Sequence, residues 1–298
     1  MATLYTHKTQ NIAKTWFLML TFAIVVLGLG WAVSWYFGNP FILYGVVAFV
    51  IIMQIWSYWF SHKTVIKTSG AQPMPDEGRY AEVHNMVENL AITAGLPKPD
   101  LYYIQDDAPN AFATGRNPEH AVIAVTTGLM DRLNRTELEG VLAHELSHIG
   151  NRDMLVSTVA VVLLGFVSLI ADMILHSMLF GFVGGDNRNP WVAAVGLVVA
   201  LLAPLIAQLI QLAISRRREF LADASGALLT RYPDGLASAL QKIGSYNQPM
   251  QRANDATAHL FIANPFGGEG LKDRIHKLFM THPPIEDRVK ALRQRGQQ

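Results

Sequence analysis

Leu142-Ala143-His144-Glu145-Leu146-Ser147-His148-Ile149 is the stretch on which the reading of this chain turns. On a helix, residues four apart lie one turn apart on the same face. His144 and His148 can therefore grip one Zn²⁺ at about 2.0–2.1 Å. Zinc lowers the pKa of the water it binds to about 7. Glu145, beside the first ligand, is placed to take that water's proton and pass it to a leaving amine, the work of a general acid–base group. A helix here has independent support. Thr136-Glu137-Leu138-Glu139 matches a capping box, and Leu138, Val141 and Leu142 follow with helical spacing.

A catalytic zinc site usually has three protein ligands and one open position. With no cysteine in the chain, the third must be His, Asp or Glu. The Gly and His that metzincins carry downstream are here Asn151 and Met154. Asp153 follows His148 by five residues and reads more simply as a cap or the partner of a basic residue. Glu219, in Arg216-Arg217-Arg218-Glu219-Phe220-Leu221-Ala222-Asp223, is the better candidate. Asp223 lies one helical turn further on, where a carboxylate can accept the free N–H of a ligand imidazole and fix its tautomer. The plain alternative makes Glu219 an intrahelical partner of the arginines.

The rest of the chain points to a membrane. Of 298 residues, 51% are hydrophobic and 16% charged, against about 25% charged in a soluble domain. A net charge of +1 gives no basic excess that would suggest a nucleic-acid partner. Residues 16–37 and 41–60 are apolar runs separated by Gly38-Asn39-Pro40. Each has the ~20 residues needed to cross a bilayer. Further runs extend from Met154 to about Val183 and from Trp191 to Ile214. Lys8, Lys14, Lys63, Lys67 and the three arginines lie on one side of this arrangement, while the two hairpin turns hold only Arg188. Positive charge marks the cytoplasmic side.

The expected organisation is a cytoplasmic N-terminus at 1–15, a transmembrane hairpin at 16–60, and the first part of a catalytic domain at 61–153. A second hairpin at 154–214 and the second part of the domain at 215–298 follow. Asp76 to Ala94 is expected to be a helix. Leu101–Ile104, Ala111–Thr114 and Ala121–Thr126 are expected strands. Asp172 and His176, one turn apart in the third run, read most simply as interface residues. His84, His120, His259 and His276 have no ligand-like spacing; His259 is a weak lid candidate.

These stretches also carry a resemblance. Pro109-Asn110-Ala111-Phe112-Ala113-Thr114-Gly115, the His144 segment, Arg218-Glu219-Phe220-Leu221-Ala222-Asp223 and Thr281-His282-Pro283-Pro284, in this order and among four apolar runs, resemble the HtpX family of membrane zinc metallopeptidases. That family is more distantly related to the CAAX prenyl endopeptidases. The resemblance implies a mainly α integral membrane protein with four transmembrane helices. It also implies a cytoplasmic α+β zincin-like (gluzincin) protease domain with a small sheet. One Zn²⁺ would be bound by His144, His148 and Glu219, with Glu145 as base and Asp223 behind a ligand. The implied work is quality control of misfolded membrane proteins in the inner cell membrane. Polypeptides are then the substrates and the bilayer the surroundings. Asn110, Ala111, Phe112, Ala113 and Thr114 can take an extended substrate as an added strand, or simply pack the domain. His282 or Arg288 can stabilise an oxyanion, or His282 can simply start a helix. Two rival functions remain: a metal-binding scaffold without activity, which has no need of Glu145, and a transporter using Asp172 and His176.

Overall fold

The computed structural model describes residues 4–163, 165–166, 216–253, 257–267 and 283–296. Most of the third apolar run, all of the fourth, and Asp172, His176, His276 and His282 lie outside the described residues. The first helices are α1 (Leu4–Phe37), α2 (Pro40–Trp59) and α3 (Ser61–Ser69). Asn39 caps α2 by accepting from Phe41 N, and Pro40 fits the first turn, where its missing N–H is not needed. Thr9–Trp35 and Pro40–Trp59 are long and apolar enough to cross a membrane. Only 28% and 11% of their apolar windows are buried, so these are not the core helices of a soluble domain. Exposed Trp16, Phe17, Ile24, Trp31, Phe41 and Ile52 cover their outer faces.

The remaining elements are β1 (Gln72–Pro73), α4 (Arg79–Ala94), β2 (Asp100–Ile104), β3 (Ala111–Gly115), β4 (Ala121–Thr126), α5 (Thr127–Arg132), α6 (Arg135–Asn151), α7 (Asp153–Leu163), α8 (Arg216–Thr230), α9 (Pro233–Gly244) and α10 (Ile285–Gly296). The expected strands form, β2 and β3 each one residue longer than read, and α4 starts at Arg79 rather than Asp76, because Gly78 turns at φ 58° just before it. The sheet order is β1-β2-β4-β3, with β2 and β4 parallel and the other pairs antiparallel. Its two faces go to different cores. Leu101, Ala113, Ile123 and Val125 meet α4, α6 and α9 through Leu90, Leu142, Leu146 and Leu240. Ile104, Phe112 and Ala124 meet Val65, Val161 and Phe261.

One local expectation is corrected. The capping box of α6 is Asn134…Glu137, two residues before the Thr136…Glu139 box read from sequence. Glu137 N donates to Asn134 Oδ1 at 3.0 Å, and Asn134 N donates to Glu137 Oε2 at 2.9 Å. Two overlapping patterns with the same spacing compete, and asparagine is the stronger cap. Glu137 also accepts from Ser238 and Lys242 of α9, both at 2.6 Å. The start of the metal-motif helix is thereby tied to its neighbour.

Candidate metal centre

Two helices build the site. α6 carries His144, Glu145 and His148 on buried turns; α8 crosses it with Glu219, Asp223 and Gly226 at helical intervals on the facing side. Gly226 sets how close they come. A Cβ there would lie 3.0 Å from His144 N and 3.1 Å from its Cα. Bare backbone against backbone lets Glu219, two turns earlier, reach the two histidines.

The geometry converges on one point. His144 Nε2 and His148 Nε2 are 3.2 Å apart. Glu219 Oε2 lies 3.7 Å from the first and Oε1 3.6 Å from the second. One ligand atom from each residue fits within 4.8 Å of the others. Ligands about 2.0–2.1 Å from a tetrahedral zinc are ~3.3 Å from one another, so the donor set fits a small divalent cation.

Each imidazole is held from behind. His144 Nδ1 is 2.9 Å from Asp223 Oδ1, and His148 Nδ1 is 3.3 Å from Asp153 Oδ2. A carboxylate accepting the Nδ1–H leaves the Nε2 lone pair facing the common point. Asp223 thus stands where the sequence reading puts it. Asp153 has the basic partner expected of it, Arg218 Nε at 3.6 Å; its contact with His148 is the part that reading did not include. Its neighbour Arg152 takes a left-handed conformation, φ 59°, between α6 and α7. That turn folds Asp153 back onto the helix it has just left. The five-residue gap after His148 was a signal, but spacing alone does not encode the turn.

The electrostatics suit a cation. Burial pulls His144 down to about 4, against the hydrogen bond that its Nδ1–H donates to Asp223, so this ring is neutral and ready to ligate. Burial opposes charge on His148 too, but Glu219 and Asp153 outweigh it and raise His148 to about 9. The pocket therefore draws positive charge to His148, and a bound metal would displace that proton. Burial raises Glu145 to about 7. Its carboxylate accepts a hydrogen bond from the Ala113 backbone.

Arg288 is fully buried. Its Nε donates to Asp223 Oδ2 at 2.9 Å and its Nη2 to Asp223 Oδ1 at 2.7 Å. Nη2 is also 3.4–3.5 Å from both ring nitrogens of His144, so it lies against the ring face. The two groups that the sequence reading separates into a carboxylate behind a ligand and an oxyanion donor are one ion pair. Burial alone would raise Asp223, but Arg288 outweighs it and holds Asp223 at about 2.

Asn110–Thr114 lies along the edge strand β3, and these residues are buried. Thr126 N donates to Asn110 O, so Ala111 and Ala113 turn their backbone groups away from β4. Ala111 O accepts from Ile262 N at 3.0 Å, and Asn110 clamps Ala263 by donating to its carbonyl and accepting from its N–H. His259 packs on α7, its Nε2 3.2 Å from Ser157 O.

Two histidines one turn apart, a carboxylate from a second helix and an adjacent buried glutamate define a class: hydrolases built to work through a bound metal. The chain belongs to peptidase family M48, whose model matches residues 77–296. It is similar to a protease HtpX homolog of Thermoanaerobacter pseudethanolicus, 46% identical over 98% of this chain and 97% of that one. A protease HtpX homolog of Tropheryma whipplei is 41% identical over 99% of each. Among solved structures, the crystal structure of S. mikatae Ste24p is similar at a TM-score of 0.48 and 19% identity, over 97% of this chain and 67% of that one. The protein is a membrane metalloprotease of its family.

Proposed function

We propose that this protease is a zinc endopeptidase in which His144, His148 and Glu219 hold the metal and Glu145 moves the proton. The observation that carries the reading is the pair of Nε2 atoms 3.2 Å apart with Glu219 beside both. A zinc ion bound there supplies Lewis acidity and makes water nucleophilic near neutral pH. Asp223 and Asp153 keep the two rings in one tautomer. Glu145, shielded from solvent and beside the histidines in α6, takes a proton from the attacking water and delivers it to the leaving amine. Arg288 is a positioning residue in this scheme, because its donors are engaged with Asp223 and Ile262. An oxyanion role for it would require one Nη to turn from those partners. His282 is retained as the other oxyanion donor on the strength of the sequence alone.

The substrate is proposed to be an unfolded segment of a membrane protein, taken as an extended strand beside β3. The Ile262 bond to Ala111 would have to give way for that. The finer arrangement is proposed as read from sequence: four membrane helices, hairpins at 16–60 and 154–214, and a two-part domain at 61–153 and 215–298. The site and both termini face the cytoplasm of the inner membrane, and the work is quality control. The direct test is casein cleavage by the purified protein with metal removed by chelator and then restored. Activity should vanish and return with Zn²⁺. Undiminished cleavage by protein shown to be metal-free would overturn the zinc reading.

A further inference from the structure

We propose that Asn11, in the first apolar helix, positions the metal ligand His148 through Asp153. The membrane helix is then a working part of the metal site as well as its anchor. This rests on the zinc reading above and extends it to a residue 142 positions away in sequence from the carboxylate it touches. Asn11 is 3% exposed. Its Nδ2 donates to Asp153 Oδ1 at 2.6 Å and to Asn151 O at 3.1 Å. The two acceptors flank the left-handed turn at Arg152, so the amide spans the junction between α6 and α7. The other oxygen of Asp153 faces His148 Nδ1 at 3.3 Å. One oxygen of the carboxylate is thereby fixed by α1 and the other is aimed at the ligand.

The inner face of α1 explains how it arrives there. Leu18 and Phe22 pack with Leu155, Val159 and Leu163 of α7. Thr15, one turn before Leu18 and fully buried, donates to Asn11 O at 3.0 Å. Asn11 continues this stripe one turn further, to the point where α7 begins and Asp153 stands. Packing would be served as well by a leucine. A buried amide is costly unless both its donors are used, and here both are. The residue type suits positioning. A carboxylate at this place would repel Asp153. A lysine or arginine would compete with His148 for its charge, which already has Arg218 Nε at 3.6 Å. A neutral donor orients Asp153 and leaves its charge to the imidazole.

The test is zinc affinity of the full-length protein in detergent, by competition with a chelator, for the parent, Asn11→Leu, Asp153→Ala and the double variant. Removing a partner behind a ligand weakens metal affinity by about 10–100-fold. Asn11→Leu is expected to lose about tenfold in the parent background and nothing further when Asp153 is already alanine. Unchanged affinity in Asn11→Leu would overturn the proposal. So would an equal loss in both backgrounds, which would mean that Asn11 acts through α1 docking or the Asn151 carbonyl. Thermal unfolding of the metal-free proteins measures that docking contribution separately. Asn11→Ala, scored by the same criteria, replaces Asn11→Leu if the latter does not fold. His148→Ala is the control for the underlying reading: if it keeps parent-level zinc, the metal site itself is wrong, whatever Asn11 does.

Discussion

Glu145 differs from its neighbours in α6 in that no ligand role is assigned to it, so its chemistry can be separated from metal binding. Glu145→Gln should keep the full complement of zinc and lose about 10²–10⁴-fold in turnover, the usual range for an acid–base group. Metal analysis beside a cleavage assay checks both halves, and near-parent cleavage would refute the role. Arg288 is a different case. It is a buried charge satisfied by Asp223, and Asp223 is in turn held by it. Removing one partner of such a pair costs about 3–5 kcal/mol. Arg288→Leu should therefore lower thermal stability markedly and free the His144 ring, with zinc affinity falling alongside. A variant of normal stability that lost only turnover would instead favour a direct oxyanion role for Arg288.

At the scale of elements, the α6–α8 crossing decides whether three ligands meet. Gly226→Ala would place a methyl 3.0 Å from the His144 backbone nitrogen, forcing α8 outward by a few tenths of an ångström. Overpacking of this kind costs about 1–3 kcal/mol, and Glu219 moves with the helix. Thermal unfolding and zinc competition should both register the change; parent-like values would mean the crossing tolerates more than its geometry suggests. The start of α6 offers a pH test. Burial alone would raise Glu137, but the hydrogen bonds from Lys242 and Ser238 outweigh it and lower its pKa. A lowered carboxylate stabilises the fold fully above its ordinary value of 4.5 and loses that contribution as pH falls through the lowered one. The stability gap between parent and Glu137→Gln should accordingly be widest near neutrality and close in acid.

These elements also show what a sequence can disclose. His144, Glu145 and His148 were legible because helical periodicity alone brings them together. Glu219 needed only a search for carboxylates, since no cysteine was available. Asp223 followed from its one-turn spacing. Asp153 was legible as the partner of a basic residue, and Arg218 is that residue; its second contact, with His148, depends on a left-handed arginine that no pattern announces. Asn11 was not legible at all. Its partner is reached only when α1 packs on α7, a tertiary event that local periodicity does not record.

At the scale of the whole molecule, α6 and α8 form one site although a long stretch of chain, including most of two apolar runs, separates them. The proposed arrangement, with its second hairpin at 154–214, therefore puts residues before and after that stretch on the same side of the membrane. Reporter fusions at Gly70 and Gln298 should both report the cytoplasm, and one at Asn187 the opposite side. Opposite signals from Gly70 and Gln298 would be incompatible with a metal centre shared between the two halves.

The central claim is that Glu219, from the second half of the chain, completes the metal site begun by His144 and His148. The measurement that tests it most directly is the zinc content of purified Glu219→Ala beside Asp223→Ala across a range of added metal. Removing a ligand should leave Glu219→Ala nearly empty at modest zinc. Asp223→Ala, which lacks only the partner behind His144, should weaken by about 10–100-fold and refill as zinc is raised. If Glu219→Ala held zinc as tightly as the parent, the third ligand would lie elsewhere and the account of the site would fail.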